Sequence, residues 1–205
     1  MDLKDTYKTI IKPSKEVLFK DRNSKFFGYA YPVITEDKVK NHLTLLKKQH
    51  HSARHWCYAY QIGTESITYR VNDDGEPSNS AGQPIYGQIQ SFEITNVLIV
   101  VVRYFGSVKL GVGGLINAYR TAAKDAIENA KIVELEMFHW VELNFDYMDM
   151  PHIMNILKKN DLESMNQVFE VGCKLKTNIP MDSYDFIKGQ LEEFDSIKIK
   201  YLGNY

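Results

Sequence analysis

Cysteine is scarce in this chain, with only two among its 205 residues. Cys57 and Cys173 lie far apart in the sequence, and no C-x-x-C pair indicates a zinc ribbon or a redox motif. Two isolated cysteines in a chain of this size favour a cytoplasmic protein whose thiols are free and buried. A disulfide that links the two halves of the chain is the alternative interpretation.

Long apolar runs are absent as well. The longest one, Val97–Val102, is far too short to span a bilayer. The N-terminal segment M-D-L-K-D-T-Y-K contains acidic residues and no apolar core, so it does not form a secretory signal. We therefore expect a cytoplasmic location and no membrane partner.

The composition is ordinary for a globular protein, with 44% hydrophobic and 25% charged residues. The length allows one large domain or two smaller ones with cores of their own. The net charge of −1 hides an asymmetry, because residues 1–132 carry a net charge of +5 and residues 133–205 carry −6. Opposite charges indicate two domains with different surfaces, and we predict that they cover residues 1–133 and 134–205.

The charge asymmetry also bears on the class of partner. A basic first half favours a phosphate-rich partner, whereas an acidic second half would repel one. The alternative is that a charge of +5 is unremarkable for a domain of this size. Neither a nucleic-acid-binding motif nor a long basic stripe accompanies it.

Hydrophobic periodicity predicts an α+β fold. In the first half it predicts strands over 6–12, 16–20 and 26–33, a helix over 35–50, strands over 56–62 and 67–71, a short helix over 84–92, a buried central strand over 96–105 and a helix over 114–131. In the second half it predicts a strand over 138–147, a helix over 151–159, strands over 165–171 and 173–179, a helix over 182–193 and a strand over 195–202. The second half therefore has the β-α-β-β-α-β order of the ferredoxin-like split βαβ fold.

Three carboxylates cluster in an acidic turn at Asp73, Asp74 and Glu76. Oxygen ligands at this spacing could hold magnesium, or supply a general acid and base. The alternative is a purely structural turn, because Asp-Asp-Gly favours a turn and Pro77 stiffens its exit. The spacing lacks the full pattern of a calcium loop.

Two serines, Ser78 and Ser80, follow the acidic turn. A serine nucleophile needs a positioned base, and no G-x-S-x-G elbow surrounds these residues. We therefore expect their hydroxyl groups to cap the helix that starts near Pro84, or to contact the phosphate of a partner.

Three glycines, Gly111, Gly113 and Gly114, lie between the central strand and the next helix. Backbone N–H groups at a helix start attract anions, and glycine allows a ligand to approach closely. The segment is neither a Walker loop nor a G-x-G-x-x-G dinucleotide motif. The glycines could instead serve only a tight turn with positive φ. Lys109, close by in sequence, could add a charge-assisted contact to an anion.

Arg103, Tyr104 and Phe105 end the central strand. A guanidinium group beside aromatic rings could stack on a base or bind a phosphate. The alternative is an internal ion pair between Arg103 and the acidic turn, in which the opposite charges need no ligand.

A group of His50, His51, His55 and Cys57 resembles a zinc site only superficially. The residues straddle a predicted helix end and strand start, and no H-E-x-x-H motif is present. We expect His55 to pack beside Trp56 or to join the polar cluster near Asp74.

Several segments resemble the Impact family, whose bacterial members are often called the YigZ family. They are A-R-H-W-C (53–57), D-D-G-E-P-S-N-S-A-G-Q-P-I (73–85), V-V-V-R-Y-F-G-S-V-K-L-G-V-G-G-L (100–115) and A-Y (118–119). The chain departs from the family pattern at Asn79 and Ser80, where the family usually has Gly-Thr, and at Ser107, where it has glycine. The resemblance extends over the whole chain, since the second half is similar to the small C-terminal domain of bacterial members.

The resemblance implies a first domain like the second domain of ribosomal protein S5 and a second domain like the ferredoxin-like domains of elongation factor G. Both relatives belong to ribosome-associated proteins, although a fold does not determine a function. The family implies no settled catalytic residues or reaction. We therefore predict a translation-associated regulatory protein that binds RNA, the ribosome or a translation factor, and an enzyme is the less favoured interpretation.

The expected binding site is a cleft in the first domain. We predict that a phosphate or acidic group is held by Arg103, Tyr104, Lys109, Gly111, Gly113, Gly114, Ser78, Ser80, Arg54 and His55, with the acidic turn ordering Arg103. One alternative is a small enzyme that binds a phosphorylated metabolite or nucleotide with magnesium, although we expect no cofactor. Another is a module that only binds proteins. The sequence leaves the oligomeric state open.

Overall fold

The computed structural model of the chain describes residues 5–169 and 172–204. Its contacts divide the chain into two units. Residues 8–135 form the first unit, and residues 136–204 form the second together with residues 5–7. Each unit has buried apolar clusters of its own. The main division lies two residues beyond the predicted boundary of 133/134, and residues 5–7 group with the second unit rather than with the first.

The elements up to residue 136 form two sheets and three helices. In chain order they are β1 (Thr6–Ile10), β2 (Val17–Asp21), β3 (Ser24–Pro32), α1 (Glu36–Gln49), β4 (His55–Ile62), β5 (Thr68–Asn72), α2 (Gly82–Ser91), β6 (Val97–Tyr104), α3 (Gly111–Glu128) and β7 (Ile132–Glu136). Five strands form an antiparallel sheet in the order β2-β3-β6-β4-β5. The strands β1 and β7 pair in a sheet of two. The elements predicted for this part of the chain are confirmed. The structure adds the strand β7, which the sequence did not indicate.

The central strand β6 separates two apolar clusters. Val97, Ile99 and Val101 face the cluster that contains α2 and α3. The alternate residues Leu98, Val100 and Val102 face the cluster that contains α1. Because successive side chains of a strand point to opposite faces, a continuous apolar run is what a strand covered on both faces requires.

Helix α3 packs closely on the sheet through small side chains. All five residues predicted for its apolar face are buried, namely Leu115, Ala118, Ala122, Ala126 and Ile127. On the sheet, Gly28 allows the close approach, since a Cβ placed there would lie 2.5 Å from the Ala122 carbonyl oxygen. The helix begins at Gly111, three residues before the predicted start, so Gly111–Gly114 form its first turn rather than a loop. Glycine has a low intrinsic helix propensity, which packing of the rest of the helix overrides.

The second unit has the predicted β-α-β-β-α-β order of elements, which is confirmed. They are β8 (Phe138–Phe145), α4 (Met150–Lys159), β9 (Ser164–Phe169), β10 (Cys173–Pro180), α5 (Tyr184–Leu191) and β11 (Lys198–Asn204). The strands form an antiparallel sheet in the order β11-β8-β10-β9, and α4 and α5 pack on one face. Residues 170 and 171 of the strand predicted over 165–171 lie outside the described residues.

Both cysteines are free thiols and both are buried. The alternative of a disulfide between the two halves is therefore wrong. In the part of the chain that the structure describes, none of the helices combines the length and apolar character that a membrane crossing needs.

We expect Gly28→Ala to destabilise the first unit by about 3 kcal/mol, in the upper part of the range for overpacked cores. The added methyl group would meet the helix backbone at Ala122 rather than a flexible side chain. The matched control is Gly87→Ala in α2, where a Cβ meets nothing within 4 Å. That change should stabilise by about 0.8–1 kcal/mol, the helix preference of alanine over glycine. Urea denaturation of both variants measures the difference, and equal stabilities would contradict the close approach.

Candidate functional site

The carboxylate of Asp73 organises the loop that leads into α2. Its Oδ1 accepts hydrogen bonds from the backbone N–H groups of Ala81 (2.9 Å) and Gly82 (2.8 Å), and its Oδ2 accepts one from Asn79 (2.9 Å). Ala81, the residue before the helix, provides no side-chain cap of its own. Asp73 therefore caps α2 from nine residues upstream, because a carboxylate stabilises the free N–H groups of a helix start.

The prediction that the hydroxyl groups of Ser78 and Ser80 cap α2 is wrong. The hydroxyl of Ser80 is buried and donates to the Pro77 carbonyl oxygen at 2.6 Å, so it closes a turn instead of capping α2. Ser78 is exposed. The suggested contact of these hydroxyls with a phosphate stays a prediction, and burial makes it less favourable for Ser80.

Asp74 joins the acidic turn to β4. Its Oδ2 accepts a hydrogen bond from the Trp56 backbone N–H at 2.7 Å, and its carbonyl oxygen lies 2.9 Å from Nδ1 of His55. Because a carbonyl oxygen can only accept, Nδ1 of His55 carries the proton. The expectation that His55 joins the polar cluster near Asp74 is confirmed.

Glu76 and Arg103 form the internal ion pair that was the alternative interpretation of the sequence. Nη1 of Arg103 lies 2.6 Å from Oε1 of Glu76, and the two side chains are only 6% and 4% exposed. The hydroxyl of Tyr119 donates to the same Glu76 oxygen at 2.7 Å. The guanidinium group is thus paired inside the protein, and this geometry favours a structural role over direct contact with a phosphate.

Aromatic rings flank the guanidinium group of Arg103. Its Cζ lies 5.5 Å from the ring centroids of both Phe26 and Phe105. Its Nε is buried and makes no hydrogen bond with any residue of the described ranges. The face of an aromatic ring attracts a cation, so the rings supply part of the stabilisation that water would otherwise give.

A buried thiol and a buried phenol complete the cluster. The Sγ of Cys57 lies 3.0 Å from the Asp73 carbonyl oxygen and 3.3 Å from the Tyr119 hydroxyl. Burial raises the pKa of the Cys57 thiol well above its ordinary value, and nearby Glu76 raises it further. Burial likewise raises the pKa of Tyr119, helped by Cys57 and Glu76. Both groups stay protonated at neutral pH, so Cys57 is not a reactive thiolate.

The acidic turn uses its carboxylates within the protein. Asp73 binds backbone N–H groups of its own loop, Asp74 binds β4, and Glu76 binds Arg103 and Tyr119. Across residues 5–169 and 172–204, no three His, Cys, Asp or Glu side chains are grouped as a metal site. The geometry favours the turn interpretation of this motif over the magnesium interpretation.

Tyr104 lies on the opposite face of the sheet from Arg103. Its hydroxyl is 3.0 Å from Nδ1 of His50, whose Nε2 is 2.6 Å from the Tyr29 hydroxyl. Tyr29 in turn donates to Glu16, and burial lowers the pKa of His50. The prediction of one cleft with both Arg103 and Tyr104 is wrong, because neighbouring residues of a strand point to opposite faces.

Sequence analysis did not predict this second polar cluster, which consists of Glu16, Tyr29, His50 and Tyr104. Its members come from four separate places in the chain, so no spacing pattern connects them. The only available signal was the strict alternation along β6, which separates Arg103 from Tyr104.

Three of the remaining predicted residues, Lys109, Gly111 and Gly113, lie on an exposed stretch after β6, which we call the 105–113 segment. Its exposed large apolar side chains are Phe105 (50%), Val108 (44%) and Val112 (54%). Lys109, Gly111 and Gly113 are exposed as well, whereas Gly114 is half-buried. Arg54 is also exposed, on the chain just before β4. The structure thus leaves one continuous segment that combines apolar side chains, a cation and the free backbone amides of a helix start.

Two departures from the Impact pattern occupy the left-handed region of backbone conformation. Asn79 has φ of 61° and Ser107 has φ of 68°. Glycine adopts such angles without the steric cost that a Cβ brings. The structure therefore explains why the family pattern has glycine at both positions, and why asparagine, which tolerates this region, is acceptable at one of them.

Comparison with known proteins agrees with the motifs. Residues 22–127, just over half of the chain, match the family model described as the Impact N-terminal domain. The Bacillus subtilis protein named IMPACT family member YvyE is 35% identical over 137 residues, which are 67% of this chain and 63% of that protein. The Escherichia coli protein named IMPACT family member YigZ is 25% identical over 183 residues, with 88% of this chain and 90% of that protein covered.

A solved structure described as that of a hypothetical protein has a similar fold. The TM-score is 0.74 and the match covers 98% of both chains, at 23% sequence identity. At this level of identity the likeness concerns the fold alone.

We expect the loss of either partner of the buried ion pair to be costly. Arg103→Met and Glu76→Gln should each reduce the free energy of unfolding by about 3–5 kcal/mol, because each leaves a buried charge without its partner. The double variant should cost less than the sum, since no charge remains. Urea denaturation of the four proteins measures the coupling.

The surface pair Lys124–Glu128 serves as the control for the ion-pair experiment, since its side chains are 53% and 49% exposed. Removing either partner there should change stability by no more than about 0.5 kcal/mol. Similar costs at the two pairs would show that the Arg103–Glu76 contact is not desolvated as described.

We expect Ser107→Gly to stabilise the protein by about 0.5–1 kcal/mol. The change relieves a left-handed conformation that costs about 1–2 kcal/mol, and the greater freedom of the unfolded chain offsets part of the gain. Ser78→Gly is the control, because Ser78 is exposed and is not among the described residues with positive φ. It should lower the melting temperature. An equal response of both variants would argue against strain at Ser107.

Proposed function

Since this chain belongs to the Impact family, we propose that it is a translation-associated binding and regulatory protein rather than an enzyme. We further propose that the first unit shares its architecture with the second domain of ribosomal protein S5. For the second unit we propose a ferredoxin-like architecture like that in elongation factor G. The β-α-β-β-α-β order and the strand order β11-β8-β10-β9 support the latter. A fold alone does not identify a function, because function depends on the residues of a site.

One observation supports the binding role most directly: the polar side chains of the motif are bonded to one another and to the backbone inside the protein. Arg103 and Glu76 are 6% and 4% exposed in their side chains and are paired with each other. The carboxylate of Asp73 is occupied by backbone N–H groups. A catalytic acid, base or nucleophile needs a polar atom that can reach a substrate. These residues instead connect the end of β6, the start of α2 and the middle of α3, which supports a binding role.

The binding surface that we propose is the 105–113 segment. Its apolar side chains Phe105, Val108 and Val112 suit contact with a macromolecule, because apolar groups supply the buried centre of most interfaces. Lys109 and the amides at the start of α3 add attraction for a phosphate or a carboxylate. RNA, the ribosome and translation factors all offer such groups. The two free thiols are in keeping with a cytoplasmic location.

Sedimentation of tagged protein with ribosomal particles in sucrose gradients tests this proposal. We expect the wild type to co-sediment at low salt and less at moderate salt, because part of the attraction is electrostatic. The double variant Lys109→Glu/Val112→Asp should co-sediment clearly less than the wild type at the same salt concentration. Both side chains are exposed, so the variant should keep its fold, which a thermal melt verifies.

The matched control for sedimentation is Leu45→Asp/Lys48→Glu in α1. Leu45 is 60% exposed and Lys48 is exposed, so the control makes the same chemical changes elsewhere in the same unit. It should co-sediment like the wild type. A wild type that stays at the top would overturn the translation role, and equal behaviour of the two double variants would overturn the assigned surface.

A further inference from the structure

The second unit carries a negative net charge, yet its positive charges gather on one face of its sheet. Residues 133–205 contain seven lysines and 13 acidic residues. Four of those lysines, but only one of the acidic residues, lie on strands β8, β10 and β11 with side chains directed away from the apolar cluster. The four are Lys174, Lys176, Lys198 and Lys200, which we call the lysine face. The negative net charge of the second unit is therefore a poor guide to the charge of this face, which is positive.

Strand register sets the lysines in two rows. In one row Asn144 of the central strand β8 lies between Lys198 and Lys174. In the other row Glu142 lies between Lys200 and Lys176. Residues two apart on one strand are about 6.6 Å apart, and strands on either side of a central strand are about 9.6 Å apart. The ammonium groups thus surround the middle of the face.

Glu142 neutralises only a part of this charge. Its Oε1 lies 3.0 Å from Nζ of Lys174, and the residue is 7% exposed. The hydrogen bond from Lys174 lowers the pKa of Glu142, with smaller contributions from Asn144 and Lys200, so its carboxylate is ionised at neutral pH. Within the residues that the structure describes, no ion pair engages Lys176, Lys198 or Lys200. The face keeps an excess of three positive charges.

The lysine face is open. Helices α4 and α5 pack on the opposite side of the sheet. Lys174, Lys198 and Lys200 are exposed, and Lys176 is half-buried. A depression of about 410 Å³ lies at one end, lined by Asn144, Lys174 and Lys198 and also by Asp146 and Val168. The two lysines outnumber the one acidic residue there. An anionic group can therefore reach the row of Asn144 from solvent.

We propose that the lysine face binds the sugar-phosphate backbone of single-stranded RNA. Lysine is a compact point charge that binds phosphate, and binding of a nucleic acid is dominated by such contacts. Contacts with phosphates position a strand without reading its bases, so the binding has no sequence preference. The half-buried Trp140 is the nearest aromatic residue on this side of β8, which makes base stacking a minor contribution.

Other anionic partners fit this surface less well. Protein interfaces are depleted in lysine and have an apolar centre. Surfaces that bind membranes combine basic residues with apolar side chains that enter the lipid. Among the described residues on this side of the sheet, the one exposed large apolar side chain is Val168 of β9, which is 45% exposed and lies opposite Lys174. A single valine on an edge strand provides little apolar surface for the centre of a protein interface or for entry into lipid. A charged strand that needs no apolar contact, such as RNA, matches these properties.

This inference concerns the second unit and does not depend on the 105–113 segment. If the sedimentation experiment fails, the lysine face could still bind RNA. If the lysine face does not bind RNA, the 105–113 segment could still bind ribosomal particles. The two variants, at Lys109/Val112 and at Lys198/Lys200, separate these results. Fluorescence anisotropy of the full chain with labelled oligouridine is the direct test. The logarithm of the binding constant is measured against the logarithm of the salt concentration.

Each phosphate contact with a single strand contributes a slope of about −0.7. The double variant Lys198→Gln/Lys200→Gln removes two such contacts, so the slope should become shallower by about 1.4. The two side chains are exposed, so the variant should keep the wild-type melting temperature. The matched control is Lys158→Gln/Lys159→Gln at the end of α4, which changes the net charge equally on the helical side. Its slope should equal that of the wild type.

Four outcomes would overturn the proposal. The first is an equal change of slope in the two double variants, which would show attraction by net charge alone. The second is a wild type that does not bind oligouridine at low salt. The third is displacement of the RNA by polyglutamate or by anionic phospholipid vesicles at equal charge concentration, which would assign the face to an acidic protein or to a membrane. A preference for one base composition that Lys198→Gln/Lys200→Gln abolishes would contradict backbone recognition.

Discussion

The buried ion pair between Arg103 and Glu76 connects three parts of the first unit. Arg103 ends β6, Glu76 belongs to the acidic turn, and Tyr119 of α3 donates to the same carboxylate. Removing two charges from water costs several kcal/mol for each ion, which their attraction repays only with good geometry and further hydrogen bonds. The hydroxyl of Tyr119 and the rings beside the guanidinium group supply those contacts. The pair therefore adds little net stability, and it allows only one arrangement of turn, strand and helix.

This constraint changes the meaning of the family motif. Its charged residues look like a ligand site in the sequence, because charges in loops usually face a partner. In the folded chain they satisfy one another and the backbone, as buried polar groups must. What remains for a partner is the 105–113 segment that follows Arg103, with its exposed apolar side chains, Lys109 and the start of α3.

The two units offer surfaces of different chemistry. The 105–113 segment combines apolar side chains with one cation, which suits a mixed macromolecular surface. The lysine face has four cations around the amide of Asn144, and Val168 is the one exposed large apolar side chain among the described residues on that side of the sheet, which suits a phosphate backbone. A protein that works among ribonucleoprotein particles would have a use for both. Neither surface needs an open catalytic group, which is consistent with a binding role.

Local patterns in the sequence determined most elements of the fold. The alternation and the apolar run predicted β6 at the centre, and the spacing of alanines predicted the buried side of α3. The acidic turn was recognised as turn chemistry, and the ion pair was one of two open interpretations of Arg103. Tyr104 was placed wrongly although strand alternation, a local property, already separates it from Arg103.

Only the tertiary structure decided which charged side chains are paired inside the protein and which are exposed to solvent. Whether Arg103 meets Glu76 depends on how β6 packs beside the acidic turn, and these residues are far apart in sequence. The lysine face likewise depends on the order of strands, which puts β10 and β11 on the two sides of β8. Each strand alone shows only two lysines in alternation, at 174 and 176 or at 198 and 200. Local periodicity determines the face of the sheet to which a side chain points. The pairing of strands determines which side chains lie beside it, and this pairing depends on contacts between segments that are distant in sequence.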